Sequence, residues 1–302
     1  MRRRELLFGM AALSAACGPR RLPPPPPAPR VVAAAELIPP DLDVIARLDM
    51  AKMKAALGGL TPQLLSREVL ARGNADGEEP EELVVESLLE ADVVYLGYRP
   101  SSLFLPLDRV LALQGRFSPI TKTPPGFLGG IDLGADVRYW DRQRTKPLAR
   151  SASARLYAAG DRVRAFVSEA ELDAVERALD RLGEPRSLSA PEEGALSLAA
   201  RPRLLGKLVS GTLRELLEDS RSLELVIDLE SDMASLRASL QTSSPEHAER
   251  LASAGRAVVQ AALGERAKRA EMRAVESRVS FTLRLPREEL AALLPRGTVP
   301  PP

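Results

Sequence analysis

The sequence predicts an α+β fold built from two related modules, each running strand, helix, strand, strand, strand, helix, with antiparallel or mixed sheets. Three observations predict it. Short runs rich in Leu, Val and Ala alternate with longer segments whose apolar residues recur at helical spacing. The order of these segments, strand, helix, strand, strand, connection, strand, helix, is spelled once before residue 190 and again after it. With 302 residues, 45% hydrophobic and 27% charged, the chain also has the balance of a folded domain that can bury a core.

The first module spans residues 41–190. "DVIARLDM" reads as a strand and runs into "AKMKAALGG", where Met53, Ala56 and Leu57 share a helical face before Gly58 and Gly59. "ADVVYLGY" and "DRVLALQGRF" are two further strands. In "SARLYAAGDRVRAFVS" two strands flank Gly160-Asp161, a hairpin turn pair that tolerates positive φ. Ser168 with Glu171 spells a capping box ahead of the helix of Leu172, Val175, Leu179 and Leu182.

The second module spans residues 191–295. "GALSLAA" is a strand, 202–217 a helix, and "SLELVIDLE" alternates with Leu223, Leu225, Ile227 and Leu229 on one face. "ASLRASLQ" follows as its partner. Ser244, with Pro245 at the first helical position, starts a long helix whose inward face is Leu251, Gly255, Val258, Val259, Ala262 and Leu263. "SRVSFTLRLP" is the last strand, residues 287–294 a terminal helix, and 296–302 a disordered tail. The best echo between the halves is "ALQGRFSP" (residues 112–119) against "SLQTSSP" (residues 239–245). They differ most between Phe117 and Arg150, a Pro- and Gly-rich connection where the second half has its long helix; a connection of that length is read as functional or as unrecognised structure.

Residues 1–16 have the layout of an export signal: Arg2-Arg3-Arg4, an apolar stretch from Leu6 to Ala16, and small residues at Ala15-Ala16 for cleavage. A stretch of eleven residues does not cross a bilayer core, which takes roughly 20 in a helix. Leu13-Ser14-Ala15-Ala16-Cys17 resembles the lipobox of bacterial lipoproteins, although Ser14 stands three residues before the cysteine, where that family prefers Leu. The resemblance implies a diacylglycerol on the Cys17 thiol and a mature chain that begins at Cys17. The alternative is a plain signal peptide with a bystander cysteine. Cys17 is the only cysteine, so no internal disulfide can use it, and acylation gives an exported thiol a chemical role. Arg3-Arg4-Glu5-Leu6-Leu7 also resembles a twin-arginine signal. Residues 17–40 then form the attachment site and a tether, with Pro23 to Pro27 in polyproline II at about 3.1 Å per residue; a docking segment for an SH3-like groove is the other reading.

Charge and motifs exclude several functions. The chain carries 42 basic and 41 acidic residues, so no general field attracts nucleic acid, and none is expected as a partner. There is one histidine, His247, and no H-E-x-x-H, paired-Cys, G-x-S-x-G or phosphate-loop pattern. No catalytic residue, metal ligand or cofactor is assigned. His247 reads as an exposed residue in the first turn of its helix, the run from Asp76 to Glu82 as a solvated acidic loop rather than a calcium loop, and Asp228, Glu230 and Asp232 as the wet face of a strand.

In a chain only 4% aromatic, Phe117, Phe127, Tyr139 and Trp140 gather in the one irregular segment, flanked by Arg138, Arg142 and Arg144. Phe117, Phe127, Tyr139, Trp140, Arg138 and Arg142 are therefore the candidate binding residues, because Trp, Tyr and Arg are common contact residues. The competing reading makes the aromatics plugs of a small core or covers of a sheet edge, and for Trp140 alone that reading is preferred. Three functional classes follow: an exported lipoprotein, on the outer membrane in preference to the inner, that binds an envelope protein, peptide or wall component; a structural or assembly accessory of the envelope; and a carboxylate-dependent hydrolase. The first is favoured.

Overall fold

A computed structural model describes residues 32–57, 82–99, 108–134, 136–143, 153–181, 188–203, 212–230, 232–286 and 289. All of them belong to the unit Val32–Pro302. Its first half contributes β1 (Val44–Asp49), α1 (Met50–Leu57), α2 (Glu82–Glu90), β2 (Ala91–Arg99), β3 (Asp108–Gly115), β4 (Phe127–Gly134), β5 (Val137–Arg142), β6 (Arg155–Ala159), β7 (Val163–Val167) and α3 (Leu172–Asp180). The second half contributes β8 (Leu196–Ala200), α4 (Thr212–Glu218), β9 (Ser222–Leu229), β10 (Met233–Gln241), α5 (Pro245–Leu263), β11 (Ala270–Val275) and β12 (Arg278–Pro286).

The 12 strands make one open sheet in the order β11-β12-β10-β9-β8-β1-β2-β3-β7-β6-β5-β4. Every neighbouring pair is antiparallel. The fold is thus mixed α+β with an antiparallel sheet. Counted outward from the β1–β8 pair, one side reads β1-β2-β3-β7-β6 and the other β8-β9-β10-β12-β11; only the first continues, into β5 and β4. Helices lie between the first and second strand on both sides.

Both faces of the first side are covered. One carries Ile45, Val110, Ala112, Tyr157, Val163, Ala165 and Val167, packed with Leu37, Ile38 and Leu42 of the entering chain and Val175 of α3. The other carries Val94, Leu113, Leu156, Ala158 and Phe166, packed with Met50 of α1 and Leu88 of α2. A strand with two dry faces cannot alternate, which is why "VRAFV" of β7 is buried along its whole length. The entering chain lies hard on β2: a Cβ on Gly97 would stand 2.4 Å from Leu42 Cδ1 and 3.0 Å from Ile38 Cγ2, so no larger residue fits there without repacking. At the β1–α1 junction Asp49 Oδ1 accepts from the Lys52 amide at 3.0 Å, a cap that starts α1. Lys54 Nζ then donates to the carbonyls of Leu89 and Ala91, tying α1 to the end of α2.

Beyond Ser197 and Ala199 of β8 and Val226 of β9, which are buried, the second side is covered on one face only. Leu216 of α4 and Ala248, Leu251 and Ala252 of α5 pack on Leu240 and Val279. On the opposite face Glu224, Arg237, Arg284, Glu271 and Arg273 are exposed, the alternation expected of a half-solvated antiparallel sheet.

Several expectations need correction. The segment after Phe117 is not an irregular connection: it holds the β4–β5 hairpin, with register shifts between Leu128 and Ile131 and between Asp132 and Gly134 that hide its period of two. β11 is a strand missing from the expected elements, although "AEMRAV" alternates apolar and polar residues from Ala270 to Ala274. Ser168 and Glu171 do not form a capping box. Glu169–Glu171 is a 3-10 turn, Ser168 Oγ accepts from the Arg109 amide at 3.1 Å, and the buried Glu171 carboxylate accepts from Arg99 Nε at 2.9 Å. His247 is buried, not exposed, with Nε2 2.8 Å from the Leu216 carbonyl, where it joins α5 to α4. On α5 the inward face is confined to the first two turns; Val258 is 49% exposed and Ala262 is also exposed. The start of α5 is as expected: Ser244 caps it by accepting from the His247 amide at 3.2 Å, with Pro245 in the first turn. Cys17, the polyproline run, Gly58-Gly59, Asp76 to Glu81 and the segment 290–302 lie outside the described residues.

Candidate functional site

The candidate binding residues come together at the β4–β5 end of the sheet, but on its two faces. Antiparallel partners share a face, so Phe127 with Arg142 and Trp140 with Leu156 point to one side, while Tyr139 with Tyr157 points to the other. Phe117, Phe127 and Trp140 are 3%, 5% and 4% exposed and belong to the core that contains Leu156 and Phe166. Their rings are therefore packing groups first. Two cations lie on their outer surfaces: Arg142 sits 5.7 Å from the Phe127 ring centroid and Arg164 sits 4.8 Å from that of Phe117. Burial pulls the Arg164 guanidinium below its ordinary value, against the opposing charges of Glu90 and Glu86.

On the other face Tyr139 is half-buried, its ring 5.8 Å from that of Tyr157. Arg155 lies 4.1 Å over Tyr139 and donates from Nε to Asp141 at 2.7 Å and from Nη1 to the Tyr157 hydroxyl at 3.0 Å. Nη1 also pairs with Glu176 of α3. Burial alone would lower the Arg155 guanidinium; its bonds to Tyr157, Asp141 and Glu176 outweigh that and hold it above its ordinary value. Burial likewise raises the Tyr157 phenol, with Arg155 acting in the opposite sense.

Beside Trp140 a pocket of about 230 Å³ opens, lined by Pro119, Ile120, Asp132, Asp136, Arg138 and Trp140 among others. Asp132 Oδ1 accepts from the Gly134 amide at 2.8 Å, and its other oxygen lies 3.9 Å from Arg138 Nη2. Asp136 holds the turn in left-handed backbone at φ 61°. Two carboxylates and one guanidinium over an indole can hold a polar, hydrogen-bond-donating group. The described residues that line the pocket include these two carboxylates and no Ser, Cys, Lys or His. Among the described residues no group of three or more His, Cys, Asp or Glu is placed to hold a metal ion, and no helix is long and apolar enough to cross a membrane. Leu128, Ile131 and Leu133, on the edge strand β4, are 54%, 49% and 49% exposed.

Sequence reasoning found the aromatic cluster but missed Asp132, Asp136 and Arg155. The signal for the first two was "IDLGAD", an acidic pair spaced around a glycine turn. Arg155 had none, since its partners come from β5, β6 and α3.

No protein-family model matches the chain, and no curated protein matches its sequence. Solved structures do match. Crystal form I of TP0453 aligns over 87% of this chain and 96% of its own, with a TM-score of 0.52 at 14% identity. Crystal form III of TP0453 aligns over 87% and 97%, with a TM-score of 0.50 at 13% identity. At such identities the likeness is one of fold.

Proposed function

We propose that this chain is an exported bacterial lipoprotein, held to a membrane through acyl chains on Cys17, whose folded body is a non-catalytic binding module of the cell envelope. The observation that carries this reading is the run from Arg2 to Pro27: charged residues, an apolar stretch too short to span, small residues before a lone cysteine, and a polyproline spacer. Fold likeness to TP0453 is compatible with it and adds no activity. Mass spectrometry of the membrane-extracted protein should find a chain that begins at Cys17 and carries acyl chains, and Cys17→Ser should move the protein to the soluble fraction. An unmodified Cys17 thiol on a mature chain in the soluble fraction overturns the reading.

The binding surface is placed at the β4–β5 end. The side chains offered to a partner there are Arg138, Tyr139 and Arg142 of the original candidates, joined by Asp132 and Asp136 at the pocket and by Leu128 and Ile131 on the edge strand. Phe117, Phe127 and Trp140 support that surface from beneath. The partner would be an envelope protein, peptide or wall component.

We further infer that the two halves descend from one strand-helix-strand-strand-strand-helix unit, with modules at 41–190 and 191–295; the expected tether does not extend to residue 40, because Val32, Ala34, Leu37 and Ile38 are buried in the first core. The mirrored strand order on the two sides of the β1–β8 pair supports this. So does the place of the echo between the halves: Ala112 to Gln114 lies at the end of β3 and Ser239 to Gln241 at the end of β10, the third strand of each side.

A further inference from the structure

Among the described residues two arginines are buried within strands of the sheet, and their surroundings differ. Arg164 on β7 is 4% exposed and fully engaged: Nη1 donates to Ser87 Oγ at 2.8 Å, Nη2 to the Ser118 carbonyl at 2.6 Å, and its plane lies over Phe117. Arg47 on β1 is 8% exposed and has one contact, from Nη2 to Asp49 Oδ2 at 3.3 Å. Its Nε and Nη1 are buried with no hydrogen-bond partner. Those two atoms carry three of the five N–H hydrogens of the guanidinium. A guanidinium does not shed its charge in a protein, so this is a buried cation with most of its donors idle, a costly arrangement that calls for an acceptor.

The neighbours of Arg47 do not supply one. Across the sheet it stands between Tyr95 of β2 and Ser197 of β8. Ser197 Oγ donates to the Pro191 carbonyl and accepts nothing from Nε or Nη1 of Arg47. Asp49 is shared, since its other oxygen caps α1 through the Lys52 amide. Among the described residues Asp49 is the one carboxylate within ion-pair distance of Arg47. Ile45 and Ala199, on the same face, are apolar. Tyr95 is half-buried and packs against the first core.

We propose that Arg47 is the receptor for an oxyanion, a carboxylate or phosphate group, taken up beside Tyr95 at the β1–β8 centre of the sheet. An oxyanion offers several lone pairs to Nε and Nη1 and neutralises the charge that Asp49, half committed to a helix cap, leaves over. The site lies in strands that both halves build together. It goes beyond the lipoprotein reading and does not depend on Cys17.

The test is thermal unfolding of the full chain in detergent, in sodium phosphate and in sodium chloride matched for ionic strength. The wild-type midpoint should rise with phosphate above the chloride control and saturate; Arg47→Met should lose that rise, while Arg116→Met, an exposed arginine, should keep it. A rise shared by Arg47→Met, or none in the wild type with phosphate, acetate or octanoate, overturns the proposal and makes Arg47 a hydrated structural residue. Acetate and octanoate separate the sources of the anion. A response to octanoate at concentrations where acetate gives none assigns an amphiphile's headgroup, and equal responses to phosphate and acetate assign a free small anion. If Arg47→Met does not fold, the Nε–H resonance of Arg47 in the wild-type chain decides: a saturable shift with any of the three anions supports the site, and its absence with all three removes it.

Discussion

The connection from β3 to β6 and the connection from β10 to β11 occupy the same slot in the two halves and fill it in opposite ways. The first builds the β4–β5 hairpin, which lengthens the sheet beyond β6. The second builds α5, which lies over β11 and β12 and leaves β11 as the sheet's edge. Yet both do the same work on the same face. Phe127 and Trp140 cover Leu156, Ala158 and Phe166, as Ala248, Leu251 and Ala252 cover Leu240 and Val279. Two large rings delivered from neighbouring strands thus replace a helix's row of small and medium side chains. The difference also sets where exposed apolar groups end up, on the sheet edge at Leu128, Ile131 and Leu133 in one case and on the outer turns of a helix at Val258 in the other.

If the rings of the hairpin are its cover, removing one should cost more than removing any residue of the helix. Trp140→Ala is expected to destabilise the protein by about 3 to 5 kcal/mol, as large aromatic truncations in cores do. The check is the urea midpoint at constant m-value. A loss under about 1 kcal/mol, the size of an ordinary surface change, would show that Trp140 does not cover the sheet and would favour the other reading, an exposed recognition group. On the helix, Leu251→Ala is expected to cost about 2 to 4 kcal/mol, within the usual range for buried leucine. A cost above that of Trp140→Ala would reverse the ranking of the two covers.

How much of this contrast was readable in advance depended on whether a segment's local pattern matched its final environment. The hairpin around Gly160-Asp161 and the Ser244-Pro245 helix start were readable, because positive φ at Gly160 and the cap of α5 are decided within a few residues. β4 was not: "FLGGIDLG" is punctuated by glycines, and its two register shifts remove the alternation that marks a strand. The burial of His247 was invisible for a different reason. "SSPEHAER" is polar by itself, and the acceptor, the Leu216 carbonyl, lies 31 residues away on another helix. Nothing local marks Arg47 either: it is one polar residue in a short strand, and its burial comes from the place of β1 at the middle of a sheet whose faces are covered on its side. For the candidate site, the preference for a core role at Trp140 agrees with its burial, but Phe117 and Phe127 were offered as contact residues although they too are buried, and period two cannot be read through the bulges of β4.

The two slots should also respond differently to alkali. All four tyrosines lie in the first half, and Tyr157, under the hairpin, has its phenol raised above the ordinary 10.0 by burial, only partly offset by Arg155. Folding therefore favours the protonated phenol. The native state keeps a proton that the unfolded chain loses near pH 10, so stability is flat below that pH and falls above it, by at most about 1.4 kcal/mol per pH unit for one group. Urea midpoints from pH 8 to 11 should show this fall, and Tyr157→Phe should make it shallower, leaving the part due to Tyr98, which burial also raises. A midpoint that rises with pH, or a slope unchanged in Tyr157→Phe, would place the phenol in a wetter setting than the packing of Tyr157 implies.

The smallest expected effect is the one that most sharpens the account of α5. A helix covering a sheet over its full length would bury Val258 and Ala262 along with Leu251, since these positions recur at helical spacing and share one stripe. Here only the first turns carry buried residues, His247, Ala248, Leu251 and Ala252, and beyond Gly255 the stripe is exposed or half-exposed. Gly255 marks the change: its Cβ position lies 2.8 Å from Met272 Sδ, so the helix still touches β11 there but offers no side chain to it. The cover provided by α5 should therefore end near that glycine. Val258→Ser is expected to change stability by less than about 0.5 kcal/mol, as substitutions at exposed sites do, while Leu251→Ser should cost more than Leu251→Ala because it adds a buried hydroxyl without a partner. Urea midpoints of the three variants measured together decide the matter. A loss above about 1 kcal/mol for Val258→Ser, beyond the ordinary surface range, would mean that the outer half of α5 is covered in solution, and the contrast between a short helical cover and an extended aromatic one would no longer hold.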